Sequence, residues 1–185
     1  KVLNLIGNYS LVLALITSLV LPIICLRNFK SNSSFDFNIF ATISIQFLLI
    51  CISFIALLFA FINSDFSNLA VYNNSHTTKP LFYKISGTWG NHEGSLLLCL
   101  LVLILFVFIF LLTSKKQPKK NKIFTLIFQE IIIVGFLLFL LITSNPFNRL
   151  FPIPNEGLGL NPILQDPILA IHPPILYLGY IGSSI

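Results

Sequence analysis

The sequence predicts an all-α integral membrane protein, because its apolar content is too high for a chain that folds in water. Of its 185 residues, 56% are hydrophobic and 9% are charged, whereas soluble domains are about 45–50% apolar and about 25% charged. Any fold of this size leaves much of its surface in contact with solvent. The composition therefore excludes a soluble enzyme domain, and lipid is the expected solvent. Three isolated cysteines, Cys25, Cys51 and Cys99, exclude a disulfide framework or a zinc ribbon.

Four apolar runs are long enough to cross a bilayer, which takes about 20 helical residues for a hydrocarbon core of about 30 Å. The runs cover residues 5–26, 39–62, 95–113 and 123–143, and a fifth begins at residue 175. We therefore expect a single membrane domain over residues 1–185, with four transmembrane helices and the start of a fifth. The first run lacks a small-residue cleavage site, so we interpret it as a retained span rather than a signal peptide.

The positive charges are distributed unequally between the connections. Residues 27–38 and 114–122 form two short connections on one side, and residues 63–94 and 144–174 form two long outer loops on the other. The short side contains Arg27, Lys30, Lys115, Lys116, Lys119, Lys120 and Lys122, and the long side contains Lys79, Lys84 and Arg149, with Lys1 at the terminus. Because cytoplasmic or matrix loops are enriched in Lys and Arg, the long loops are expected to face the periplasm or the mitochondrial intermembrane space.

The lysine cluster at residues 115–122 has a second interpretation as a nucleic-acid patch. A nine-residue connection between two spans is more simply a topology signal, which is also compatible with contact with anionic lipid. We therefore expect no nucleic-acid partner.

One acidic residue, Glu130, lies within a predicted span. An intramembrane carboxylate is costly, so it indicates either a function or a partner on a neighbouring helix. Gln46 in the second span is a candidate partner. A proton channel would require several ionisable groups or broken spans, and the sequence shows neither, so we favour structural packing.

The first outer loop ends in the motif at residues 87–95, GTWGNHEGS. Trp89 is the only tryptophan and lies at the predicted membrane interface, where an amphipathic ring is favourable. Glu93 follows near the start of a helix, where a carboxylate suits the helix dipole. His92 is a candidate metal or haem ligand. On the residues alone, an interfacial tryptophan with helix-capping polar groups is the favoured interpretation.

The second outer loop is rich in proline and therefore expected to be stiff. Asp166 and Pro167 match the N-cap and first position of a helix. Residues 168–171 would form one apolar turn on the bilayer surface. Pro173 is expected to push His172 out of the helical region, and Pro174 is expected to start the next span.

These features place one imidazole, that of His172, at the membrane face in apolar surroundings, with Tyr177 nearby. A neutral imidazole in such a place can bind haem iron. The alternative is an interfacial histidine that is hydrogen-bonded to a loop carbonyl. His76 lies in a polar stretch and is expected to face solvent.

Four stretches, residues 89–98, 143–149, 160–167 and 170–180, resemble conserved blocks of the CcmF-type cytochrome c haem lyases. The blocks are collinear and correctly spaced between the spans. The resemblance covers essentially the whole chain but only the amino-terminal part of the family, as in the split mitochondrial CcmFN subunit. The chain departs from the pattern at Cys99, where the family commonly has tryptophan, and at residues 182–185.

The resemblance implies a role in cytochrome c maturation. Members of this family accept haem from the membrane-anchored chaperone CcmE and promote thioether bonds between haem and the CxxCH cysteines of apocytochrome c. His172 matches an external axial ligand of the transferred haem b. The family's tryptophan-rich haem platform and second external histidine would come from the remaining CcmF fragment or fragments, so this chain is not expected to be catalytic alone.

The resemblance also implies a location in the mitochondrial or bacterial inner membrane. It leaves seven motif residues without an assigned role: Trp89, His92, Glu93, Asp166, Pro173, Pro174 and Tyr177. The alternative is a structural membrane subunit of a larger respiratory or assembly complex, without haem chemistry of its own.

Overall fold

The computed structural model describes residues 2–30 and 37–183, and most of these residues are helical. The middle of the predicted connection at 27–38 and the last two residues of the divergent stretch at 182–185 lie outside the described residues. The helices are α1 (Val2–Lys30), α2 (Phe37–Ile62), α3 (Leu69–Asn74), α4 (Leu81–Gly87), α5 (His92–Thr113), α6 (Lys119–Ile142) and α7 (Pro167–Gly182), with 3-10 turns at Ser114–Lys116 and Pro162–Gln165. The predicted all-α fold is confirmed.

Four of these helices, α1, α2, α5 and α6, are long and apolar enough to cross a membrane, as predicted. They form a bundle in which α1 packs against α2 and α6, while α5 packs against α2, α6 and α7. The outside of the bundle is covered by exposed apolar side chains, such as Leu48 (58% exposed) and Phe128 (65%). A surface of this kind is stable in contact with acyl chains but not in water.

The predicted partnership between Gln46 and Glu130 is confirmed. The amide Nε2 of Gln46 on α2 donates to Glu130 Oε2 on α6 at 3.0 Å, and both residues are fully buried. In a lipid environment these polar groups gain nothing from water, so the bond favours one register of α2 against α6. The structure therefore supports a packing role for Glu130.

The two outer loops lie together at one end of the bundle. The backbone amide of Leu69 donates to Asn148 O at 2.9 Å, and that of Leu150 donates to Ser67 O at 3.0 Å. The Asn68 side chain donates to Asn4 Oδ1 at 2.9 Å and to Pro146 O at 2.8 Å. Since Asn4 belongs to α1, one buried amide joins the first helix to both loops.

A second connection between the loops is exposed. The backbone amide and the hydroxyl of Thr77 donate to the two carboxylate oxygens of Glu156, at 2.9 and 2.6 Å. His76 Nδ1 lies 3.8 Å from Glu156 Oε1. The hydrogen bonds, first that of the Thr77 hydroxyl, hold the pKa of the Glu156 carboxyl below its ordinary value of 4.5. We refer to residues 76, 77 and 156 as the loop clip.

The prediction for the start of the fifth helix was wrong. The sequence indicated an outer loop to residue 174, with His172 outside the helix and a new span from residue 175. Instead α7 begins at Pro167 and contains His172, Pro173 and Pro174. The Asp166 carboxylate accepts from the amides of Ile168 at 2.8 Å and Leu169 at 3.2 Å, so the helix is capped at this point. The fixed φ of proline is itself helical, and the bias of the preceding residue against helix is only a tendency.

We predict that Gly7→Ala destabilises the protein while Gly135→Ala does not. A Cβ at Gly7 would lie 2.2 Å from two ring carbons of Phe147, a side chain that is itself buried, so α1 and the second outer loop would separate. The expected cost is about 1–3 kcal/mol, measured by thermal unfolding in detergent. At Gly135 no described residue comes within 4 Å of such a Cβ, which makes this helix glycine a matched control. Equal melting temperatures for the two variants would contradict the assigned contact.

The loop clip is predicted to open in acid. Because the Glu156 pKa is lowered on folding, the clip stabilises the loops fully above pH 4.5 and is lost as the pH falls through the lower folded value. Hydrogen exchange of the Thr77 amide, corrected for the intrinsic rate, should accelerate at least about three-fold across this step. Glu156→Gln keeps an acceptor but cannot titrate, so its exchange should show no such step. A step of equal size in that variant would argue against the clip.

Candidate functional site

The end of the first outer loop is closed by its own hydrogen bonds. Asn91 caps α5 by accepting the Gly94 amide at 2.8 Å, and its Nδ2 donates to Gly87 O at 2.8 Å. A Cβ on Gly94 would lie 1.7 Å from Thr88 O, so only glycine allows this approach. Glu93 lies in the first turn of α5, as the sequence predicts. The loop therefore holds Trp89 on a fixed backbone.

Trp89 connects this loop to α7. Its indole nitrogen donates to the backbone carbonyl of Ala170 at 2.7 Å. One turn into α5, the hydroxyls of Ser95 and Tyr177 share a hydrogen bond of 2.6 Å. Farther along, Phe106 lies against Gly182, where a Cβ would be 2.8 Å from the ring. Two motifs that are about eighty residues apart in the sequence are thus joined by side chains of α5 and its capping loop.

A cleft of about 320 Å³ lies between the two motifs. Four of the predicted motif residues contribute to it, together with loop and α5 side chains; its lining includes Trp89, Asn91, His92, Leu164, Pro173 and Tyr177. The structure therefore brings these motif residues together. Glu93 and Asp166 act instead at helix starts, and His172 lines a different concavity.

His92 is exposed, and its ring meets Phe139 edge-on, with centroids 6.2 Å apart and planes at 84°. In the part of the chain that the structure describes, no group of three His, Cys, Asp or Glu residues is placed to hold a metal ion. The structure thus gives His92 a packing contact at the cleft.

His172 lies on the side of α7 opposite to the hydrogen bonds that Ala170 and Tyr177 make with Trp89 and Ser95. Helical periodicity puts Ala170, Tyr177 and Ile181 on the side that faces α5, and Ala170 and Ile181 are 4% and 5% exposed. His172 is exposed and lines a shallow concavity of about 250 Å³ with Ile168, Ile171 and Ile175. We call this surface of residues 168, 171, 172 and 175 the histidine face.

The side of α7 that carries the histidine face stays uncovered by other described residues as far as Gly179. Gly179 lies two turns beyond His172 on nearly the same side, and no described residue would come within 4 Å of a Cβ there. The apolar neighbours are strongly exposed, with Ile168 at 78% and Ile175 at 62%. A flat apolar molecule can therefore approach the imidazole of His172 without displacing any described side chain.

His76 is half-buried in the loop clip, and its Nδ1 lies 2.9 Å from Thr78 Oγ1. It lines neither the cleft nor the concavity of the histidine face.

Sequence reasoning missed the contacts that organise this site. Ser95 was part of the motif at residues 87–95, but the sequence did not indicate that Tyr177 is its hydrogen-bond partner. A backbone carbonyl such as that of Ala170 carries no sequence signal of its own. The available signal was indirect: Pro174 lacks the backbone N–H that would bond to residue 170 in a helix, and a tryptophan near the interface needs an acceptor.

Known proteins are similar to this chain over the region that contains both Trp89 and His172. The family described as "Cytochrome C assembly protein" matches residues 89–185. The chain is 47% identical over 182 residues to cytochrome c-type biogenesis protein CycK of Rhizobium meliloti, covering 97% of this chain and 27% of that protein. It is 40% identical over 189 residues to cytochrome c-type biogenesis protein CcmF of Escherichia coli, covering 97% of this chain and 28% of that protein.

The fold also has a counterpart among solved structures. A cytochrome c haem lyase CcmF structure matches with a TM-score of 0.79 and 26% identity, covering 99% of this chain and 29% of that chain. This chain therefore spans just over a quarter of the length of the curated relatives that it matches. The family match begins at Trp89 and contains residues 89–95 of the first motif and the whole histidine face, and this chain accordingly belongs to the cytochrome c assembly protein family.

Proposed function

We propose that this chain is the amino-terminal part of a cytochrome c haem lyase and that His172 is an external axial ligand of the haem that is transferred to apocytochrome c. The observation that carries the proposal is the histidine face: one exposed imidazole among exposed isoleucines, on a helix that is anchored by its opposite side.

The chemistry of this surface suits a porphyrin. An axial ligand needs an accessible imidazole nitrogen, and His172 is exposed. The macrocycle is apolar and flat, so Ile168 and Ile175 beside the imidazole, with the open side of Gly179, provide a matching surface. Bound haem b would supply the vinyl groups that become thioethers. His172 would bind and orient it from one side.

The rest of the haem site is proposed to come from parts of the haem lyase outside these 185 residues. The sequence has one tryptophan, and that tryptophan is engaged with Ala170. The tryptophan-rich platform and a second histidine would therefore be supplied by the remaining CcmF fragment or fragments. CcmE would deliver the haem, and apocytochrome c would receive it. This chain would contribute to thioether formation without performing it alone.

We also propose an orientation in the mitochondrial or bacterial inner membrane. Lysines are concentrated in the short connection before and at the start of α6, whereas the outer loops are poor in Lys and Arg. The positive-inside rule then puts both outer loops and the N-terminal end of α7 in the intermembrane space or periplasm.

His172→Ala is predicted to lower haemin affinity at least about ten-fold, because an iron–nitrogen bond is lost. The change removes an exposed side chain, so the helix content measured by circular dichroism should not change. The measurement is a haemin titration of the full chain in lipid nanodiscs, followed by Soret absorbance. In His172→Gly, free imidazole should restore the Soret position.

His76→Ala is the matched control, because His76 is also an imidazole of the outer loops but lines neither cavity of the site. Its haemin affinity should equal that of the unchanged chain. Equal affinity in His172→Ala would sink the ligand role and favour a structural subunit without haem chemistry of its own.

A further inference from the structure

We infer that Trp89 is a positioning residue for His172, because its indole N–H takes the place of the backbone N–H that Pro174 cannot supply. The part of this inference that concerns haem rests on the proposed function. The part that concerns α7 rests on the hydrogen bonding of the helix alone.

The argument begins with the helix ladder. In an α-helix the amide of residue i donates to the carbonyl of residue i−4, so the carbonyl of Ala170 would ordinarily receive the amide of residue 174. Residue 174 is proline, which has no N–H, and a proline ring inside a helix also pushes the carbonyl of residue i−4 aside. Pro174 therefore removes the backbone N–H that would donate to the Ala170 carbonyl. It also turns this carbonyl away from the helix axis, toward a donor beside the helix.

Water is poorly placed to fill this vacancy. Ala170 is 4% exposed and faces α5, and an unpaired carbonyl in such a position is costly. The indole nitrogen of Trp89 lies 2.7 Å from the Ala170 oxygen, a short distance for an N–H···O bond. A single side chain from the first outer loop thus completes the second turn of α7.

The position of the bond links it to the ligand. Ala170 is two residues before His172, and the two lie on opposite sides of α7. A bond that holds the Ala170 side against α5 determines how far the histidine face rotates outward. The side-chain amide of Asn91 donates to the carbonyls of Gly87 and Thr88, the two residues before Trp89. Because these bonds fix the backbone that carries Trp89, the position of Trp89 is transmitted to His172 through one carbonyl.

The proposal predicts that either the indole N–H of Trp89 or a backbone N–H at residue 174 can satisfy the Ala170 carbonyl. A double-mutant cycle tests this replacement of one donor by the other. Trp89→Phe keeps a ring but removes the N–H, and should accelerate hydrogen exchange of the α7 amides and weaken haemin binding, each by about two- to ten-fold. Pro174→Ala restores a backbone N–H for Ala170. In Trp89→Phe/Pro174→Ala, both quantities should therefore return to within about two-fold of the Pro174→Ala variant.

Pro173→Ala is the matched control, because it also replaces a helix proline but restores an N–H for Leu169, not for Ala170. Trp89→Phe/Pro173→Ala should keep the full defect of Trp89→Phe relative to Pro173→Ala. All variants are compared as the full chain in lipid nanodiscs, by exchange mass spectrometry and Soret titration.

The outcomes separate the inference from the proposed function. Equal rescue by both proline replacements, or no effect of Trp89→Phe on α7 exchange, overturns the donor exchange. The expected exchange pattern, with haemin binding insensitive to every variant including His172→Ala, overturns the proposed function and the haem part of this inference. If Pro174→Ala, but not Pro173→Ala, corrects the effect of Trp89→Phe on both α7 hydrogen exchange and haemin binding, the inference and the proposed function are both supported.

Discussion

Every backbone polar group near lipid must find its hydrogen-bond partner within the protein, and this constraint governs the site. A helix that begins with Pro167 and continues through Pro173 and Pro174 cannot satisfy its own ladder. The chain resolves the deficit at Ala170 with the indole of Trp89. The proline pair and the tryptophan, which look like separate motifs, are thus two halves of one hydrogen-bonding arrangement.

The same arrangement gives α7 two sides with different tasks. One side is held to α5 by the Trp89 bond and by the hydroxyl pair of Ser95 and Tyr177. The other side presents His172 among exposed isoleucines. Such a division suits the proposed ligand role of His172, because a helix that is held on one side leaves its opposite side free for a binding partner.

Hydrogen bonds elsewhere in the chain fix the outer loops and the helix bundle that carry α7. Asn68 ties the first helix to both outer loops, and the loop clip joins residues 77 and 156 ahead of α7. Within the membrane, Gln46 and Glu130 favour one register between α2 and α6. In each case a polar side chain is hydrogen-bonded to a polar group from a distant part of the sequence. The bundle is therefore specified by a few directional hydrogen bonds as well as by the van der Waals packing of its apolar side chains.

The sequence alone determined the fold class and the four long helices, because apolar runs of membrane length leave few alternatives. It named Gln46 only as a candidate partner of Glu130, and the structure confirmed that pair. The sequence also located both motifs and the N-cap at Asp166. The tertiary structure decided that α7 continues through His172, that Trp89 bonds to Ala170, and that Tyr177 bonds to Ser95. The two hydrogen bonds depend on donors and acceptors that the fold brings together from positions about eighty residues apart. The course of α7 was misjudged because local propensity disfavours a helix before proline, and tertiary contacts override that tendency.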